Sequence, residues 1–244
     1  MSTPSGNCCI FLDHSNIYAG AQKMAVALEG EAARAAVRLE YDSLVKLAAA
    51  GRPITTGVCV GSLGRTDRIP LGLFPASMQV MESAGIGVEI YERSGNTRTE
   101  QAVDQAIQVH MLRAMADHPP GVAVLVSGDG AGYQEGKGFM ADLERMQRMG
   151  WGIELLAWNT NCNRRMRDWA DEDGCFVPLD NYYYSICSLR HVREADELLC
   201  TDRVVATPGD RAGAYPFQQP RGARYRRSNS SSATREAASF EAMA

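Results

Sequence analysis

Largely apolar runs of β-forming residues alternate along this chain with longer segments of helical composition. The clearest runs are CCIFLD (8–13), ITTGVCVGS (54–62) and VAVLVSGD (122–129). A strand that is apolar on both sides must be buried on both sides, which is typical of a parallel sheet with helices on either face. The pattern therefore predicts a three-layer α/β domain with a mostly parallel central sheet.

Shorter strands and the helices between them complete this alternation. Further strands are predicted at 87–92, 153–158 and 176–179, and helices over 16–50 with a break near Gly30, from Pro70 to about Ser83, and over 98–116, 139–149 and 163–172. Within 98–116, apolar residues recur every four positions from Val103 to Met115, which predicts an amphipathic helix.

The composition changes near residue 200. Residues 1–200 are predicted to form one domain, since 45% of the chain is hydrophobic and can build a core without disulfide or metal support. Residues 201–244 are rich in Gly, Pro, Ser and Arg and poor in apolar residues, which predicts a disordered tail.

Charge is distributed unevenly between these two parts. Residues 203–244 carry seven arginines against three acids, a charge of +4, and the rest carries 18 basic against 26 acidic residues, a charge of −8. So acidic a body is not a broad polyanion binder, and nucleic acid would have to bind at a local site, through cations or through the tail. The tail segment RGARYRR (221–227) suits attraction to phosphate or contact with a protein partner, and both interpretations remain open.

The chain has the features of a cytoplasmic protein. No apolar run approaches the roughly 18 residues that span a bilayer, and the first residues lack the basic and apolar regions of a signal peptide. The seven cysteines form no CxxC pair, which favours reduced, mostly buried thiols over a zinc site.

Four carboxylates are predicted to lie along one edge of the sheet. Asp13 ends the first strand, and Asp129 follows the strand that begins at 122. Glu100 and Asp104 occupy one face of a helix that begins at the same edge. Ligands gather at the carboxyl ends of parallel strands, so this rim is the candidate site.

Carboxylates brought together repel each other unless a cation joins them. Hard oxygen ligands suit Mg²⁺ or Mn²⁺, which also bind phosphate oxygens. Such a site can lower the pKa of a water and stabilise the leaving oxygen in phosphodiester cleavage.

Each of these carboxylates also has a structural interpretation. Asp13 could cap the following helix, and Asp129 could simply belong to a turn. Glu100 stands three residues after Thr97, which is the spacing of a capping box. Asp104 could lie on a solvated helix face.

Three segments, in this order, resemble the NYN domain, a PIN-like nuclease family: FLDHSNIY (11–18), TEQAVDQAI (99–107) and VLVSGDGAGY (124–133). The similarity spans roughly residues 8–180. It implies a PIN-like fold and a metal-dependent endoribonuclease that hydrolyses RNA, single-stranded RNA being the expected substrate. The resemblance implies that Mg²⁺ or Mn²⁺ is held by the catalytic residues Asp13, Asp104 and Asp129, with Glu100 as a further ligand or helix cap, and that Asn16 and Ser127 orient RNA or water.

One departure from the family pattern bears on activity. Many members carry a second aspartate two residues after the SGD turn, where this chain has Ala131. A catalytically inactive module that binds RNA or a protein is therefore the alternative.

Further RNA-binding candidates follow the strand at 153–158. Asn161, Arg164 and Arg165 could bind an RNA backbone, or could belong to a capped, solvated helix start. The run Tyr182–Tyr184 could stack on bases or fill a small core. The sequence leaves the oligomeric state open.

Overall fold

A six-stranded parallel sheet forms the centre of the protein. The computed structural model describes residues 6–63, 72–92, 98–131, 136–198 and 203–209. The strands are β1 (Cys8–Asp13), β2 (Val37–Leu39), β3 (Ile54–Leu63), β4 (Ile86–Glu92), β5 (Val122–Val126), β6 (Gly152–Ala157), β7 (Cys175–Pro178) and β8 (Cys187–Leu189). The central sheet has the order β4-β3-β1-β5-β6-β7, which confirms the predicted architecture.

Helices cover both faces of this sheet. They are α1 (His14–Glu29), α2 (Ala33–Ala36), α3 (Tyr41–Ala49), α4 (Pro75–Ser83), α5 (Arg98–Asp117), α6 (Gly138–Arg148), α7 (Arg164–Asp173) and α8 (Tyr183–Ile186). Alternate residues of β1 enter two separate cores: Ile10 packs with α1 and α3, and Phe11 packs with α5, α6 and α7. No helix among the described residues has the length and apolar character needed to cross a membrane.

The sheet grows outward in two opposite directions, and the point where the direction changes lies between β1 and β5. The chain winds outward from β1 through β3 to β4, then returns to the other side of β1 and winds outward through β5, β6 and β7. Connections leave the carboxyl ends of β1 and β5 toward opposite faces, since α1 packs on one face and α6 on the other. In doubly wound sheets this switch point opens a crevice where ligands bind.

A small antiparallel sheet interrupts the region predicted as helical over 16–50. Val37–Leu39 forms β2 and pairs with Cys187–Leu189 of β8. The helix prediction is wrong at β2, because its partner strand lies about 150 residues later and no local pattern reports that pairing.

Residues 203–209, which composition assigned to the tail, lie against the domain. The Glu154 side chain is fully buried and accepts hydrogen bonds from Arg52 at 2.6 and 2.7 Å and from Arg203 at 2.7 Å. The amide of Ala206 donates to the same carboxylate at 2.7 Å. This cluster, Arg52–Glu154–Arg203, ties the segment to β6 and to the end of α3. Residues 210–244, most of the predicted tail, lie outside the described residues.

The described cysteines are free thiols. Of the six, all except Cys162 are buried, as the sequence predicted. Burial raises the pKa of the Cys9 thiol to about 12, which makes it a poor nucleophile and metal ligand at neutral pH.

Candidate active site at the switch point

The carboxylate of Asp13 lies at the switch point between β1 and β5. Leu12 is in register with Val126, so Asp13 at the end of β1 faces Ser127, the first residue after β5. Asp13 is only 4% exposed and Ser127 is fully buried. Two apolar strands thus bring a carboxylate and a hydroxyl together beneath the surface.

Hydrogen bonds fix both oxygens of Asp13. Its Oδ1 accepts from the backbone N–H of Asn16 at 3.0 Å, which caps α1. Its Oδ2 accepts from the Ser127 hydroxyl at 3.1 Å, and that hydroxyl accepts from the N–H of Asp129 at 3.2 Å. Asp13 therefore caps α1, which is its structural interpretation. Its carboxylate is also linked through the Ser127 hydroxyl to the backbone N–H of Asp129.

The ionised form of Asp13 is disfavoured. Burial raises the pKa of its carboxyl to about 6, although the hydrogen bonds from Asn16 and Ser127 lower it, and the negative charge of Asp129 adds to the rise. A positive ion beside the two carboxylates would offset both the cost of burying the Asp13 charge and its repulsion by Asp129.

The turn that carries Asp129 is held from two sides. Asn16 on α1 accepts a hydrogen bond from the Gly128 N–H at 2.9 Å, and the Gly128 carbonyl accepts from the Asn163 N–H at 2.8 Å. A Cβ at Gly128 would lie 2.8 Å from the Cα of Cys162 and would also clash with a backbone oxygen. Glycine is required here because two backbones meet without room for a side chain.

Asp129 itself is half-buried. Its Oδ1 accepts from the N–H of Ala131 at 2.9 Å, so the predicted turn is present. Ala131 is exposed, and no carboxylate projects from that position.

Asp104 lies half-buried on α5, next to Val103, which packs beneath the sheet. The side chain of Glu100 lies outside the part of the chain that the structure describes. Among the described residues, no three acidic, histidine or cysteine side chains are close enough to form a metal site on their own. The structure therefore does not assemble Asp13, Asp104 and Asp129 into a compact three-carboxylate group.

Two carboxylates are nevertheless sufficient for a hard cation of the expected kind. Mg²⁺ usually keeps several waters and takes one or two protein carboxylates together with phosphate oxygens. Asp13 and Asp129 are neighbours, because the Ser127 hydroxyl bonds to the Asp13 carboxylate and to the Asp129 N–H. The donor set thus fits Mg²⁺ or Mn²⁺ with water and substrate completing the shell.

The predicted RNA-binding residues fall into two groups. Asn161 joins the segment after β6 to α1, because it accepts from the Lys23 ammonium at 2.7 Å and donates to the Asn16 carbonyl at 3.2 Å. Arg164 and Arg165 are exposed at the start of α7, where Arg164 lies 3.5 Å from Asp168.

The sequence analysis did not single out Asn163, and it left open whether Tyr183 stacks on bases or packs in a core. Asn163 caps α7, accepting from the Met166 N–H at 3.3 Å, and an asparagine before a helical segment is a recognisable start signal. Tyr183 is buried against Trp158 on the face of the sheet that α1 and α3 cover, opposite to the face that α7 covers. It therefore fills the core and does not offer a surface for bases.

The comparison with known families agrees with this geometry. The family model of the NYN domain matches residues 7–187, a range that contains both aspartates of the switch point and the residues that hold them. No curated protein and no solved structure matches the chain.

Proposed function

The chain belongs to the NYN domain family, and from that premise we propose that it is a divalent-metal-dependent endoribonuclease acting on single-stranded RNA. NYN domains have a PIN-like nuclease fold. The observation that carries the proposal is the buried carboxylate of Asp13, which is linked through the Ser127 hydroxyl to the backbone N–H of Asp129, so that a second acidic residue stands beside it at the switch point.

Asp13 and Asp129 would hold the cation, and Asp104 and Glu100 of α5 are the further candidate ligands. A bound Mg²⁺ or Mn²⁺ supplies a water of lowered pKa and neutralises charge on the scissile phosphate. Without a positive charge the two carboxylates would repel the phosphate they must approach.

The remaining polar residues keep these carboxylates in place and bring the RNA to them. Ser127 is fully buried, so its hydroxyl acts by orienting Asp13 and the Asp129 backbone. The Asn16 side chain joins α1 to the turn that carries Asp129, and Asn161 holds the Asn16 backbone carbonyl. The exposed Arg164 and Arg165 would contact RNA phosphates beside the turn. The basic tail would add attraction that does not depend on sequence.

Cleavage of a circular single-stranded RNA tests this function directly. We expect the full chain to linearise the circle in Mn²⁺ or Mg²⁺, because an endonuclease needs no free end, and to leave it intact in chelator. A circular single-stranded DNA of the same sequence measures the preference for RNA.

A result in which the protein binds the circle and never opens it, in either metal, would refute the nuclease proposal. That outcome would identify a binding module, in keeping with Ala131 at the position of a common family acid.

A further inference from the structure

We propose that the cleft between α6 and α7 binds one unpaired base of the RNA strand, stacked on Trp169, with the adjoining phosphate held by Arg164 and Arg165. The inference rests on the proposed function and specifies where the substrate strand lies beyond the switch point.

The cleft is an open depression between the two helices. Its volume is about 540 Å³, within the usual range for small-molecule clefts. One wall is a single face of α7, on which residues recur at helical spacing, and the other is formed by Met140 and Glu144 of α6. The α7 residues are Arg164, Arg165, Asp168, Trp169 and Glu172.

Trp169 differs from the other two tryptophans of the chain. Trp151 and Trp158 are each 1% exposed, whereas Trp169 packs at the edge of the core with part of its ring at the cleft. An aromatic ring in an open cleft can stack on any base, since every base has a π face.

The cleft begins beside the acidic turn. Asn163 donates to the Gly128 carbonyl at 2.8 Å, and its side chain packs so closely on Gly130 that a Cβ there would clash with it. Arg164 is the next residue. A strand whose phosphate lies at Asp13 and Asp129 therefore meets the arginines of α7 first and Trp169 further along the same helix.

Both signs of charge line the cleft, and Asp168 lies 3.5 Å from Arg164 within it. Arg164 and Arg165 stand at the end near the turn, where guanidinium groups suit phosphate. Glu172 lies eight residues after Arg164, about 12 Å along the helix axis. The Glu172 carboxylate at that end repels phosphate and accepts hydrogen bonds, so this end of the cleft suits an amino-bearing base edge.

Binding of a hexa-adenylate RNA in chelator tests the inference without cleavage. We expect the RNA to quench tryptophan fluorescence in the wild type. Trp169→Phe should keep RNA binding, measured by anisotropy of labelled RNA, and lose the quenching. Trp169→Ala should weaken binding about tenfold or more, as loss of one stacked base does.

Arginine variants supply the matched control. Arg164→Ala and Arg165→Ala should each weaken binding, whereas Arg190→Ala, an exposed arginine after β8, should not. The inference is overturned if Trp169→Phe retains the quenching, if Trp169→Ala binds as tightly as the wild type, or if the wild type does not bind RNA.

The two proposals fail in different ways. Binding with quenching but no cleavage in metal refutes the nuclease and leaves the cleft assignment standing. Cleavage in metal with the same KM for wild type and Trp169→Ala refutes the cleft assignment alone.

Discussion

Replacing Asp13 by Asn is expected to stabilise the metal-free protein at pH 8 by up to about 3 kcal/mol, while it removes the proposed activity. Burial raises the pKa of this carboxyl from 3.8 to about 6, and a change of that size corresponds to about 3 kcal/mol against the ionised form. Asparagine keeps the shape, accepts the Asn16 N–H and can donate to the Ser127 oxygen, but the buried Ser127 O–H then loses its acceptor, which offsets part of the gain.

The stability gained by Asp13→Asn over the wild type should increase with pH. Because the folded-state pKa lies above the unfolded value, the folded protein binds more protons between about pH 4 and pH 6, and wild-type stability falls as pH rises through that window. Asp13→Asn has no such loss. The difference between the two proteins should be near zero at pH 4 and complete above pH 7.

Thermal unfolding in chelator measures this difference, with a midpoint rise of up to roughly 6–12 °C expected for a chain of this length. Asp42→Asn, on an exposed pair with Lys46, is the control and should change little. Adding Mn²⁺ should stabilise the wild type and not Asp13→Asn, since only a protein that binds the ion gains stability from it. A variant less stable than the wild type at pH 8 in chelator would contradict this reading of Asp13.

Glu154→Gln is expected to lose about 3–5 kcal/mol of unfolding free energy, because it leaves two buried guanidinium groups without their negative partner. The carboxylate lies between Arg52 and Arg203, and all three side chains are nearly inaccessible to water. The substitution keeps the shape of the side chain, removes its charge and replaces one of its two accepting oxygens by an NH2 donor that faces N–H groups.

Acid should weaken the same cluster in the wild type. Burial alone would raise the pKa of Glu154, but the charges of Arg203 and Arg52 and their hydrogen bonds lower it below the ordinary value. Its contribution is therefore present above the unfolded pKa, about 4.3, and is lost as pH falls through the lower folded value. The gap between wild type and Glu154→Gln should shrink below about pH 4.

Urea unfolding from pH 7 down to pH 3 measures this gap. Glu31→Gln, on an exposed pair with Arg34, should leave stability nearly unchanged. A chain ending at residue 200 should resemble Glu154→Gln, because it lacks both Arg203 and the Ala206 N–H. If Glu154→Gln unfolds at the same urea concentration as the wild type at pH 7, the cluster has no such role.

Asp13 and Glu154 show what the sequence could and could not predict. Asp13 was predictable, because an apolar strand that ends in an acid places that acid at the carboxyl edge. Asp129, which follows β5 across the switch point, could be predicted from the same rule. Glu154 stands in an apolar strand with no local sign of a partner, since Arg52 lies 102 residues away and Arg203 lies 49 residues away.

Elements that depend on distant pairing were missed in the same way. Composition assigned Arg203 to a disordered tail, although its guanidinium is buried beneath α3. Of the two interpretations of the run Tyr182–Tyr184, the structure supports the core role for Tyr183, which is buried. Asp104 was placed on the rim by helix spacing, but spacing does not fix how far α5 stands from β1.

The most direct test of the central claim is the rate at which labelled single-stranded RNA is cut in Mn²⁺ by wild type, Asp13→Asn, Asp129→Asn and the control Asp42→Asn. We predict that the wild type and Asp42→Asn cut at similar rates, and that each of the other two loses about a hundredfold or more, as when a group that stabilises transition-state charge is removed. Equal cutting by either Asp13→Asn or Asp129→Asn would show that the switch-point carboxylates are not the catalytic site.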